Sequence, residues 1–176
     1  MKVCNLNKQY PTGKIAVQSI SFGLHAGTCF GFLGINGAGK TTTMKMMTGD
    51  EGPTKGEGYI GGRNIVTDQM GARLLIGYCP QFDGLLDLLT VREHLELYAS
   101  IRGVDGKDMK ITIRKTMDGL GITQFAGKLA GTLSGGNKRK LSVGIALIGG
   151  KNHLKLFFLL LFNHQKLLTF NHLQLL

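Results

Sequence analysis

The stretch GFLGINGAGKTTT, residues 31–43, decides how this chain folds. Within it, Gly34-Ile35-Asn36-Gly37-Ala38-Gly39-Lys40-Thr41 matches the phosphate-loop pattern at every specified position. Each residue type has a physical reason. Glycines let the backbone turn tightly and aim several N–H groups at one anion. A helix beginning at Lys40 adds the positive end of its dipole. The Lys40 ammonium supplies a mobile charge for terminal phosphates, and the Thr41 hydroxyl suits magnesium. Asn36, Ala38 and Thr42 complete the loop and its first helical turn. The competing reading is a glycine-rich turn with an incidental lysine. The apolar segment Cys29–Leu33 before the loop and the helical pattern after it favour strand, loop and helix.

Working outward, strand-like segments are expected at Met1–Leu6, Ile15–Phe22 and Thr28–Leu33. The helix from Lys40 should run to about Thr48 and stop at Gly49. GEGYIGGRNI, residues 56–65, reads as a hairpin turning at Gly61-Gly62. Ile76–Cys79 reads as a short strand ending at Pro80. Thr90-Val91-Arg92-Glu93 is a capping box that opens a helix to about Arg102, with Val91, Leu95, Tyr98 and Ile101 on one face. Met109, Ile113 and Met117 predict a second helix over 107–118. Leu141, Ile145 and Ile148 mark a third, ended by Gly149-Gly150. The pattern is α/β with a helical insert near residues 90–130.

The totals fit one domain of 176 residues. The net charge of +10 invites a nucleic-acid reading, but its distribution argues against one. Residues 1–120 carry 14 Lys/Arg and 11 Asp/Glu, whereas residues 121–176 carry 7 Lys/Arg and no acid. The basicity is a shortage of acids, not a concentrated basic patch. Cys4, Cys29 and Cys79 lack metal-ligand spacing and read as buried thiols of a reducing compartment. No signal peptide and no apolar run long enough to span a bilayer are visible. A GTPase reading fails on its base-recognition motif, because Asn137-Lys138-Arg139-Lys140 has lysine where aspartate belongs.

TLSGGNKRKLSV, residues 132–143, adds a second motif. Ser134-Gly135-Gly136 opening a helix is either an ordinary capped start or another anion nest. With the phosphate loop, GYCPQFDGLLDLLTVREHLELYA and LSGGNKRKLSVGIALIGG, the sequence resembles the ATP-binding cassette of ABC transporters over residues 1–150. The wording is most similar to the A subfamily, large membrane proteins that mostly move lipids. The resemblance implies a P-loop NTPase cassette fold with a helical subdomain, and ATP with Mg2+ as cofactors. Tyr10 matches the aromatic that stacks on adenine, though a surface aromatic at a turn would look the same. Gln81 matches the magnesium-contacting glutamine, beside Thr41. Cassettes of this family pair head to tail. Leu133, Ser134, Gly135 and Gly136 would therefore meet a nucleotide held by a second cassette. The other implied partners are transmembrane domains, with the loop around Gln81–Leu88 against them, on the cytoplasmic side of a membrane.

The resemblance stops at Gly150. The family continues with a Walker B strand ending in Asp-Glu and, later, a switch histidine. Here the last acid is Asp118, and His153, His164 and His172 match nothing, so no catalytic residue is assigned. The cassette reads as incomplete, lacking the Walker B strand and later strands. Residues 151–176 contain no Val, Ala, Asp, Glu or Gly, a composition that fits a translated intron or shifted frame; the alternative is a genuine low-complexity tail, amphipathic or lying on a membrane. LKLFFLLLF, residues 154–162, is apolar enough to take the Walker B strand's place without its acids. The expectation is a chain that binds ATP and hydrolyses it poorly. Two alternatives stay open: an interaction protein that pairs with an intact cassette, and a soluble ABC ATPase.

Overall fold

The computed structural model describes residues 1–26, 28, 30–80, 82–148 and 156–159. The chain divides into two compact units; among the described residues, one holds Met1–Ile76 with Leu156 and the other holds residues 77–148 with 157–159.

The first unit is an antiparallel sheet with a helix. Strands β1 (Lys2–Gln9) and β2 (Ile15–Gly23) form a hairpin, helix α1 (Lys40–Thr48) follows, and β3 (Lys55–Ile60) and β4 (Arg63–Asn64) form a second hairpin. The sheet order is β2-β1-β3-β4. Strict alternation would place Val3 and Asn5 on one face. Instead Val3 and Leu6 are both buried, because Asn5 takes φ 46° and the register with β2 shifts between Val3 and Leu6. The bulge keeps two apolar residues inward and leaves Asn5 outside. The second hairpin turns at Gly61 and Gly62, φ 55° and 81°, which suits a two-residue turn between Ile60 and Arg63.

Helix α1 buries Met46 and Met47, and Met47 packs over Gly58 of β3. It ends at Gly49, φ 78°, whose N–H donates to the Met46 carbonyl. A short helix α2 (Gln69–Leu74) supplies the rest of the termination. Arg73 Nε donates to the Thr48 carbonyl at 2.9 Å, and Arg73 Nη2 and Gln69 Nε2 to the Gly49 carbonyl at 2.8 and 2.9 Å. These bonds satisfy end carbonyls that no helical N–H can reach.

The expected strand over Thr28–Leu33 is not formed: the described residues there carry no strand. The cause is the lack of a ladder. A strand buried between parallel neighbours needs partners on its edges and cover on both faces. Among the described residues no strand pairs with this segment. Leu33 and Ile35 are 90% and 82% exposed. Phe22, Phe30 and Phe32 cluster with one another instead, with ring centroids 5.5 to 6.5 Å apart.

The second unit holds strand β5 (Ile76–Cys79) at its start, then helices α3 (Val91–Ile101), α4 (Gly106–Leu120) and α5 (Gly135–Leu147). Strand β5 pairs with β6 (Leu156–Leu159). The apolar stretch after Gly150 therefore does supply a strand, beside β5. The rest of the tail, with Gly149 and Gly150, lies outside the described residues. The helical core gathers Val91, Leu95, Ile113, Met117, Ile122 and Leu141. Ile101, expected on the buried face of α3, is 68% exposed at the helix end, and Ala99 is buried in its stead. Cys79 is buried against Val143 and Ala146, whereas Cys4 is only half-buried and Cys29 lies outside the described residues.

The capping box is complete. Thr90 Oγ1 accepts from the Glu93 N–H at 3.2 Å, and Glu93 Oε2 accepts from the Thr90 N–H at 2.7 Å. That backbone bond, then the Thr90 hydroxyl, holds the Glu93 carboxyl below its usual range. The contribution is present at neutral pH and is lost as pH falls through the lowered value. Thr90→Ala should cost about 1 kcal/mol, read as a lower urea midpoint in far-UV circular dichroism.

Candidate functional site

The loop 34–41 sits where β2 meets α1. Gly39 is the N-cap of α1 at φ 83°, and Gly37 takes φ 85°. A Cβ on Gly39 would stand 2.3 Å from the Ala16 carbonyl oxygen and 3.0 Å from Val17 Cγ2, so the loop is pressed against β2. A Cβ on Gly37 would meet nothing within 4 Å. The two glycines thus answer different demands. Gly37→Ala should cost about 1 kcal/mol, from backbone conformation alone. Gly39→Ala should cost more than about 2 kcal/mol, because a clash adds to the strain. Urea denaturation of the two variants checks the order.

Lys40 Nζ donates to the Gly34 and Ile35 carbonyls at 2.7 and 2.8 Å, which draws the ammonium across the loop. Residues 34–38 are exposed, while Thr41 and Thr42 are half-buried. Helices α2, α3, α4 and α5 begin with side-chain caps from Asp68, Thr90, Asp105 and Ser134. Helix α1 has no side-chain cap and no acid in its first turn. The positive end of its dipole and the adjacent ammonium together make this an environment that favours an anion.

Tyr10 lies at the end of the β1–β2 hairpin, where its N–H donates to the Lys14 carbonyl at 2.9 Å. The same hairpin carries Ala16 and Val17 against Gly39. Its hydroxyl donates to Glu51 Oε2 at 2.9 Å, and Lys8 Nζ stands 5.4 Å from its ring centroid. Glu51 also pairs with Lys45 at 3.3 Å and Lys8 at 3.6 Å. Burial raises the Glu51 carboxyl, but the Tyr10 and Lys45 bonds and the two lysine charges outweigh it and hold the group below its ordinary value. Sequence reasoning missed Glu51. Its partner is 41 residues away, and no local pattern links them.

In the second unit, Ser134, Gly135 and Gly136 form an exposed start to α5, and Leu133 beneath them is buried. Ser134 Oγ accepts from the Asn137 N–H at 3.4 Å. A Cβ on either Gly135 or Gly136 would meet nothing within 4 Å, and neither has positive φ. This chain's own fold does not need those glycines. Arg139, also missed, ties α5 to the segment after β5: Nη1 donates to Asp83 Oδ1 at 3.0 Å and to the Pro80 carbonyl. Gln81 lies outside the described residues. Phe82 and Leu88 nearby are 80% and 84% exposed. No described helix is long and apolar enough to cross a membrane.

Comparison with known proteins identifies the family. The profile of the ABC transporter family matches residues 17–156. Tyr10 falls outside that range. ATP-binding cassette sub-family A member 2 of Rattus norvegicus is 50% identical over 153 residues, which is 85% of this chain and 6% of that protein. Retinal-specific phospholipid-transporting ATPase ABCA4 of Bos taurus is 49% identical over 150 residues, 85% of this chain and 7% of that protein. Phospholipid-transporting ATPase ABCA3 of Homo sapiens is 52% identical over 135 residues, 77% of this chain and 8% of that protein. The chain thus spans less than a tenth of these relatives.

Among solved structures, an ATP binding subunit of an ABC transporter matches with TM-score 0.74 and 25% identity, over 82% of this chain and 60% of that one. The ATP-binding cassette MJ0796, solved as a dimer in a post-hydrolysis state with ADP and Pi, matches with TM-score 0.71 and 25% identity, over 83% of this chain and 68% of that one. The fold is that of an ABC ATPase cassette, represented here in part. The chain belongs to the ABC transporter family, and the relatives it matches are members of the A subfamily.

Proposed function

We propose that this chain is the ATP-binding part of a lipid-moving ABC transporter of the A subfamily, and that it binds Mg-ATP on residues 34–42. The observation that carries the reading is the start of α1, uncapped by any side chain, behind an exposed glycine loop with Lys40 drawn across it. Lys40 and the backbone of Gly37, Ala38, Gly39, Thr41 and Thr42 hold the phosphates. Asn36 lies on the loop's rim, and Tyr10 offers a ring to the base. Magnesium, when bound, neutralises phosphate charge, with Thr41 as its protein ligand and Gln81 taken as a second on resemblance alone. The phospholipid named for the relatives suggests the cargo class.

Thermal unfolding tests the binding. A ligand present at about 100 times its Kd stabilises the folded state by about 2.7 kcal/mol. Mg-ATP should raise the melting temperature and AMP, lacking the outer phosphates, should not. No shift with ATP, or an equal shift with AMP, contradicts the reading.

The start of α5 is proposed to meet a nucleotide held by a second cassette. Its support is that Gly135 and Gly136 weaken a helix at positions where this chain tolerates a side chain. A partner's phosphates approaching the backbone give those glycines a reason. Gly135→Ala should therefore raise stability by about 0.5–1 kcal/mol in urea denaturation. It should also abolish ATP-dependent pairing with an intact cassette, seen by analytical ultracentrifugation. Loss of stability would mean that the fold itself needs the glycine.

A further inference from the structure

We propose that Glu51 is a positioning residue for nucleotide recognition: it holds the Tyr10 ring in place through the tyrosine hydroxyl. The inference rests on the reading of Tyr10 as the base-stacking residue. Tyr10 ends a hairpin, so its backbone is set by the turn, with the Gly13 N–H donating to the Tyr10 carbonyl at 2.9 Å. The side chain still needs a fix at its far end. A rotatable ring loses entropy when a base stacks on it, and one already held loses less.

Glu51 supplies that fix, since its Oε2 accepts the phenol proton at 2.9 Å. The carboxylate is itself held. It follows the end of α1, where its N–H donates to the Lys45 carbonyl at 3.2 Å, and Lys45 and Lys8 flank it at 3.3 and 3.6 Å. Lys8 also lies over the Tyr10 ring at 5.4 Å, so one face of the ring carries a cation and a base takes the other. The phosphate-binding helix and the base-binding ring are thereby joined by one carboxylate. Phosphate contacts at the head of α1 and base contacts at Tyr10 share a rigid element.

The test compares ATP with inorganic tripolyphosphate, which has the phosphates and no base, by titration calorimetry on the full chain. Tyr10→Phe keeps the ring and removes only the hydroxyl. It and Glu51→Ala should each weaken ATP about three- to tenfold, the worth of one hydrogen bond, and leave tripolyphosphate unchanged. The double variant should be no worse than either single one. Glu51→Gln, whose amide oxygen still accepts, should stay near the starting affinity. Equal losses for ATP and tripolyphosphate in Glu51→Ala would mark a folding defect, and Tyr10→Phe then decides. If Tyr10→Ala weakens ATP selectively while Tyr10→Phe and Glu51→Ala do not, the positioning role is wrong and stacking stands. If Tyr10→Ala leaves the ratio of the two affinities unchanged, stacking fails and the inference falls with it.

Discussion

Lys40→Ala should weaken Mg-ATP binding by about a hundredfold or more. A hydrogen bond to a charged group is worth about 1.5–3 kcal/mol, and 1.4 kcal/mol is tenfold in affinity. A lysine serving two phosphate oxygens stands at or above the upper end. One effect works the other way. In the free protein the ammonium already bonds the Gly34 and Ile35 carbonyls, and it must leave them to take phosphate. Both carbonyls lie on exposed loop residues, so water replaces the lysine at little cost and the phosphate term wins. Lys40→Arg keeps the charge and changes its shape, so an intermediate loss is expected. Titration calorimetry reads all three proteins. An affinity for Lys40→Ala within threefold of the unsubstituted chain would contradict the site.

The second large effect concerns turnover: we expect this 176-residue chain to release phosphate from ATP at the buffer rate. A positioned general base contributes about a hundred- to ten-thousandfold. After Asp118 the sequence contains no aspartate or glutamate, so no carboxylate following α5 is there to activate water. Asp118 is engaged elsewhere, accepting from the Thr123 hydroxyl at 2.5 Å and lying 3.8 Å from Arg114. Strand β6 beside β5 contributes backbone pairing and carries no acid, its residues being Leu156, Phe157, Phe158 and Leu159. On this reading the chain should bind ATP without turning it over. A sensitive phosphate-release assay should give the same rate for the chain and for Lys40→Ala. A clear rate that Lys40→Ala removes would show that another group activates water.

What the sequence made legible was local chemistry. Helix α1 from Lys40 to Thr48 with Gly49 beyond it, the Gly61-Gly62 hairpin turn and the Thr90–Glu93 box each rest on residues within a few positions of one another. The strand expected over Thr28–Leu33 failed because a strand is a property of its neighbours, and apolar content cannot report whether they pair. Helix α2 was invisible for a related reason. Six residues are too few for a helical period, and α2 is held by Arg73 and Gln69 bonding the end of α1. The site divides in the same way. The candidate residues Gly37, Gly39, Lys40 and Thr41 lie within five positions of one another and form a pattern visible in the sequence. Glu51 and Arg139 reach Tyr10 and Asp83 across 41 and 56 residues, distances that only folding closes.

The central claim is that nucleotide phosphates sit on residues 34–42. Amide chemical shifts of the 15N-labelled chain, followed while Mg-ATP is added, test it most directly. The account predicts the largest changes at Gly37, Gly39, Lys40, Thr41 and Thr42, with smaller ones at Tyr10. Changes concentrated on other residues, or none up to millimolar Mg-ATP, would contradict it.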